Sequence, residues 1–169
     1  MIVLYATMMA DEKMLINDKR LNIKLDNHYL ENKIIVMDEE YYLEHGYEYE
    51  NIRIIIVGKN NLSKELDIEY HENIYKLANS KYFKDKELYI VGSSELLKQA
   101  IPLSDKMELN IVDMYLEEND KTAMPFPKYD YQNWKYTKSD MITPRITKVI
   151  LDRVNPYGYN EKTKKRVKK

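Results

Sequence analysis

Glu87-Leu88-Tyr89-Ile90-Val91-Gly92-Ser93-Ser94-Glu95-Leu96-Leu97 reads as a short buried strand that enters a glycine-containing turn and then a helix. Strand, turn and helix in this order often cradle a phosphate, because backbone N–H groups at the turn converge on the anion and small residues let it approach. Here a single glycine remains, and Glu95 stands where it would repel such a ligand. Ile2-Val3-Leu4-Tyr5-Ala6, Lys33–Met37 and Ile52–Val57 repeat the buried-strand signature with β-branched residues. Asp38–His45, Asn73–Asn79 and Ser94–Ala100 have helical character between or after them. Buried strands alternating with helices predict an α/β sheet covered on both faces.

Beyond Lys106 the pattern changes. Met107-Glu108-Leu109-Asn110-Ile111-Val112 alternates apolar and polar residues at first, which predicts an antiparallel or edge strand. Pro125-Phe126-Pro127 imposes an extended passage, and Asn133–Lys138 and Ile146–Val154 supply two final strands. The expected organisation is one domain over residues 1–154 and a mobile, basic C-terminal tail over 155–169.

Composition narrows the chemistry. There is no cysteine, which removes thiol nucleophiles and disulfides, and the three histidines have no helical metal-site spacing, so no metal is expected. Apolar runs fall well short of the roughly 20 residues of a membrane span, and Met1–Tyr5 lacks the features of a secretory signal. A cytoplasmic protein without membrane contact is the expectation.

Charge is divided along the chain: residues 1–120 carry 24 acids against 14 bases, and residues 121–169 carry 4 acids against 13 bases. Within the first part Asp26, Glu31, Asp38, Glu39, Glu40, Glu44, Glu48 and Glu50 are opposed only by Lys33. Tyr41, Tyr42, Tyr47 and Tyr49 are interleaved with these acids, in a chain of 16 tyrosines and two phenylalanines. Tyrosine suits wet interfaces, and an acidic aromatic face argues against direct nucleic-acid binding and for a basic protein partner. A solvated surface, with some rings packed on the sheet, is the simpler reading.

Over about residues 1–154 the chain resembles the dihydrofolate reductase family. The resemblance rests on Met1–Ala6 with Asp11 downstream, on Lys33–Met37, on Glu87–Pro102 with Gly92, Gln99 and Ile101-Pro102, and on Lys106–Asp113 followed by Phe126-Pro127, Tyr129 and Trp134. It implies a mixed sheet, mostly parallel with a C-terminal antiparallel edge, flanked by helices. It also exposes departures. Where the family has Gly-Arg-x-Thr to hold cofactor phosphates, this chain has Asp38-Glu39-Glu40-Tyr41, and the family's glycine pair with a following basic residue becomes Gly92-Ser93-Ser94-Glu95. The family's Leu-Pro-Trp segment and its buried acid have no clear counterpart. Asp26 stands in for that acid only if about one helical turn was deleted, and surface charge or a helix N-cap is its simpler reading.

From these departures the sequence predicts a non-catalytic, cofactor-free protein on a reductase scaffold, with Asp38, Glu39, Glu40, Tyr41, Tyr42, Glu44, Tyr47, Glu48, Tyr49 and Glu50 as the partner-binding face and Gly92, Ser93, Ser94 and Glu95 as a degenerate cofactor site. Small size and an acidic aromatic face resemble phage-encoded inhibitors of host replication, which implies the bacterial sliding clamp as partner, blocked by a DNA-mimicking surface of a monomer or homodimer. Gln99–Leu103 is similar to short clamp-docking peptides. The alternative is a divergent NADPH-dependent dihydrofolate reductase, with Asp26 assisting protonation.

Overall fold

The computed structural model describes residues 1–15, 27–49, 51–59, 68–80, 83, 85–115, 123–155, 157–160 and 165–168. Among these, twelve strands and four helices follow one another as β1 (Ile2–Met9), β2 (Lys13–Leu15), α1 (Asn27–Leu30), β3 (Ile34–Asp38), α2 (Glu39–His45), β4 (Arg53–Val57), β5 (Glu69–His71), α3 (Ile74–Ala78), β6 (Leu88–Ile90), α4 (Ser94–Ala100), β7 (Lys106–Val112), β8 (Ala123–Pro125), β9 (Trp134–Thr143), β10 (Ile146–Arg153), β11 (Tyr157–Asn160) and β12 (Lys165–Lys168). Eight of the strands form one sheet in the order β5-β4-β3-β6-β1-β7-β10-β9. Strands β5 through β7 pair in parallel, and β10 and β9 close the sheet antiparallel. The mostly parallel sheet with an antiparallel C-terminal edge is as the sequence predicts.

The β-branched runs are buried because helices cover both faces of the sheet. One face carries Ile2, Leu4, Val36, Ile90 and Leu109 against Ile74 and Leu77 of α3 and Leu96 and Leu97 of α4. The other carries Val3, Tyr5, Ile35, Met37, Tyr89 and Val91 against Leu30 of α1 and Tyr41 and Tyr42 of α2. Each of the three longer helices begins at a side chain that accepts from its first turn: Asp38 for α2, Asn73 for α3 and Ser93 for α4. At the far edge Arg153, almost fully buried, donates to the carbonyls of Ser104 and Ile101 and stacks on Trp134, which ties β10 to the end of α4.

Two expectations need correction. β7 pairs antiparallel with β10, as expected, but it is also parallel to β1 and so is an interior strand and not an edge. Its polar residues Glu108 and Asn110 are buried, so the alternation reports a buried polar network. The segment after Asn155 contains the β11–β12 ladder where a tail was expected. No helix among the described residues is long and apolar enough to cross a membrane.

Candidate functional site

The register of β1, β7 and β10 brings a polar group together on the face covered by α1 and α2. Tyr5 lies beside Glu108, Asn110 beside Thr7, and Lys148 of β10 pairs across from Asn110. Side chains two apart on a strand share a face, so Glu108, Asn110 and Lys148 point the same way as Tyr5. Glu108 is only 2% exposed. Both of its carboxylate oxygens lie 2.8 Å from the Tyr29 hydroxyl, which donates from α1. Lys148 Nζ is 3.6 Å from Glu108 Oε2 and sits 3.8 Å from the centroid of the Tyr29 ring.

Tyr89 of β6 completes the cluster, with its hydroxyl 3.3 Å from that of Tyr29 and 3.4 Å from Glu108 Oε1. Asn110 donates its side-chain amide to the Tyr5 hydroxyl at 3.0 Å, and the Tyr5, Tyr29 and Tyr89 rings pack on one another. Lys33 lies above the Tyr89 and Tyr29 rings and pairs with Glu87 at 3.3 Å. Burying one carboxylate among hydroxyls and a lysine is tolerated because every charge has a partner. Burial, together with the Glu108 charge, pushes the Tyr29 hydroxyl up to about 12, although its bond to Tyr89 acts the other way. Burial first, then the bond to Tyr29 and the Glu108 charge, pushes Tyr89 up as well. Both phenols therefore stay protonated at neutral pH and act as donors around the carboxylate. Tyr29 is 37% exposed, so it links the buried acid to the surface.

None of these residues was singled out from the sequence as a site. Their one legible trace was the tyrosine bias and the Glu108/Asn110 alternation; the partners come from five separate elements, α1, β1, β6, β7 and β10. Asp26 and Glu50 lie outside the described residues.

The residues expected to bind a partner do not form one presented face. Tyr49 is fully buried, and Tyr41 and Tyr42 pack against the second core. Glu48 lies 3.0 Å from His45 Nδ1. Glu40, Glu44 and Tyr47 are exposed, while Glu39 is half-buried. Asp38 is turned inward: Oδ1 accepts from the Tyr41 backbone N–H at 3.0 Å, and Oδ2 accepts from the Ser93 N–H at 3.3 Å and from the Ser93 hydroxyl.

The glycine turn itself is built as expected. Gly92 has φ +147°, in a region L side chains rarely adopt, and Ser93 caps α4 by accepting from Leu96 N–H. Ser94 donates to the Pro125 carbonyl at 3.1 Å, and Glu95 is exposed. Among the described residues no group of three or more His, Cys, Asp or Glu is placed to hold a metal.

The family model described as "Dihydrofolate reductase" matches residues 12–151. A solved dihydrofolate reductase from Enterococcus faecalis, complexed with NADP(H) and RAB-propyl, shares the fold with a TM-score of 0.72 at 13% sequence identity, over 92% of this chain and 97% of that one. No curated protein matches. These findings overturn the expectation of a non-catalytic clamp inhibitor with a DNA-mimicking face and carry its reductase alternative. The inward-turned Asp38 and buried Tyr49 give the physical reason the face was misread: acids and rings adjacent in sequence serve helix capping and core packing. Strand order and a family match across most of the sequence give one conclusion: the chain belongs to the dihydrofolate reductase family.

Proposed function

We propose that this protein is a divergent dihydrofolate reductase, which adds a hydride and a proton across a carbon–nitrogen double bond of dihydrofolate. The observation that carries the reading, beside family membership, is the buried Glu108 carboxylate bonded to the surface-reaching Tyr29 phenol. A reduced pterin presents adjacent N–H donors, and a carboxylate accepts such a pair through both oxygens. Glu108 holds the ring in that way with the free lone pairs of its two oxygens, while the bond from Tyr29 is kept. The phenol of Tyr29 relays a proton from solvent through the carboxylate to the ring nitrogen. Lys148 fixes the charge and position of the acid from behind.

The E. faecalis relative is complexed with NADP(H), and a reduced nicotinamide is the class of hydride donor the reaction needs. The residues here do not fit the diphosphate of such a donor at the glycine turn. The Tyr41 and Ser93 amides already donate to Asp38. No step is therefore assigned to contacts between this turn and a diphosphate.

Steady-state kinetics test the reading. Dihydrofolate-dependent oxidation of a reduced nicotinamide should be measurable in the native protein. It should fall by about 100-fold or more in a folded Glu108→Gln variant, the scale of a lost general acid. Failure of NADPH, NADH and reduced nicotinamide riboside alike to support turnover would reject it.

A further inference from the structure

Strands β3 and β6 are hydrogen-bonded neighbours, with Ile34 beside Leu88 and Val36 beside Ile90, yet the chain leaves them in opposite directions. From β3 it passes through α2 to β4 on one side; from β6 it passes through α4 to β7, two places away on the other. Helix α2 packs on one face of the sheet and α4 on the other. Such a divergence opens a crevice at the carboxyl ends of the two strands, which is where open α/β sheets take their ligands. The backbone N–H groups that converge there are those of Tyr41 and Ser93, and one carboxylate, that of Asp38, accepts both.

The Ser93 hydroxyl adds a third donor to the same group. The carboxylate also lies against the side of Gly92 that has no side chain, since a Cβ built there would sit 3.5 Å from Asp38 Oδ1, at ordinary contact distance. Glycine, capping serine and two converging amides thus surround an anion that belongs to the chain itself.

We propose that Asp38 is an internal surrogate for a diphosphate: its carboxylate fills the anion position of the crevice, so that the protein discriminates against donors whose diphosphate must lie at this turn. The inference rests on the reductase reading for the class of donor, and the two fail separately. Asparagine at position 38 keeps an oxygen for the helix cap, because Asn caps as well as Asp, but removes the charge.

The test is a titration of the full chain with inorganic pyrophosphate and with NADPH, followed by calorimetry at low and high salt. Asp38→Asn should bind both at least about tenfold more tightly than the native protein, with the gain shrinking as salt rises. Asp38→Ser, which keeps a capping oxygen, provides the same comparison should the first variant fold poorly. Glu40→Gln removes the same charge from an exposed position nearby and should change affinity less than about threefold. Native protein that binds pyrophosphate as tightly as the Asp38 variants, or an equal gain from Glu40→Gln, would overturn the proposal. Native protein that reduces dihydrofolate with tightly bound NADPH would sink the surrogate and keep the reductase. Absence of turnover with any donor, beside a clear gain in Asp38→Asn, would do the reverse.

Discussion

The hydroxyl of Tyr29 lies 2.8 Å from both oxygens of Glu108 and so couples a carboxylate buried in the sheet to a ring at the surface. Removing that hydroxyl should be felt in both stability and chemistry. Tyr29→Phe deletes a charge-assisted hydrogen bond worth roughly 1.5–3 kcal/mol, and partial exposure brings the expected loss toward about 1–2 kcal/mol. Urea unfolding measures it. An unchanged midpoint would mean that the bond contributes nothing in solution.

Glu108 and Lys148 should behave as a unit. Glu108→Gln alone leaves a lysine without its carboxylate, and Lys148→Met alone leaves a buried carboxylate without its lysine, at about 2–4 kcal/mol each. The double variant should lose less than the two single losses combined, with a coupling of about 1–3 kcal/mol in a double-mutant cycle. Additive losses would show that the 3.6 Å pair is incidental.

Alkaline pH should unfold the protein earlier than its net charge suggests. Tyr29, Tyr41 and Tyr129 are each pushed up from 10.0 to about 12, in every case chiefly by burial, and burial raises Tyr89 too. A phenol whose ionisation is held off in the folded state keeps a proton that the unfolded chain releases, so the native state binds more protons over that interval. Stability from these groups is complete below pH 10 and declines as pH rises toward 12. Denaturant midpoints should fall across that range as tyrosinate absorbance rises; a flat profile would contradict the burial of the cluster.

Gly92→Ala should destabilise by about 1–3 kcal/mol. The backbone there has φ +147°, and the new Cβ would meet Leu96 Cδ2 at 3.1 Å. Thermal unfolding reads the loss directly.

The parallel half of the sheet was legible because its strands are buried on both sides, so Ile34–Met37, Ile54–Val57 and Leu88–Val91 appear as unbroken apolar runs. The helices after them were equally readable, but the caps Asp38, Asn73 and Ser93 were not read as such: Asp38 was assigned to a partner face and Ser93 to a cofactor turn. β7 was misread for a definite reason. Alternation normally means that one face meets water, but Glu108 and Asn110 meet Tyr29, Tyr89, Tyr5 and Lys148 in the interior.

The candidate site was illegible for the same reason. A buried acid is recognisable only beside its partners, and the two phenols that bond to Glu108 lie 19 and 79 residues away along the chain. The acids at 38–40 were conspicuous in sequence, yet their leading member is spent on a cap and a turn.

The decisive measurement is conversion of dihydrofolate to tetrahydrofolate, quantified by chromatography with excess reduced nicotinamide. The native protein should form product catalytically, and folded Glu108→Gln at least about 100-fold less. Absence of product from the native protein with every donor, or product formation by Glu108→Gln at the native rate, would contradict the reductase reading.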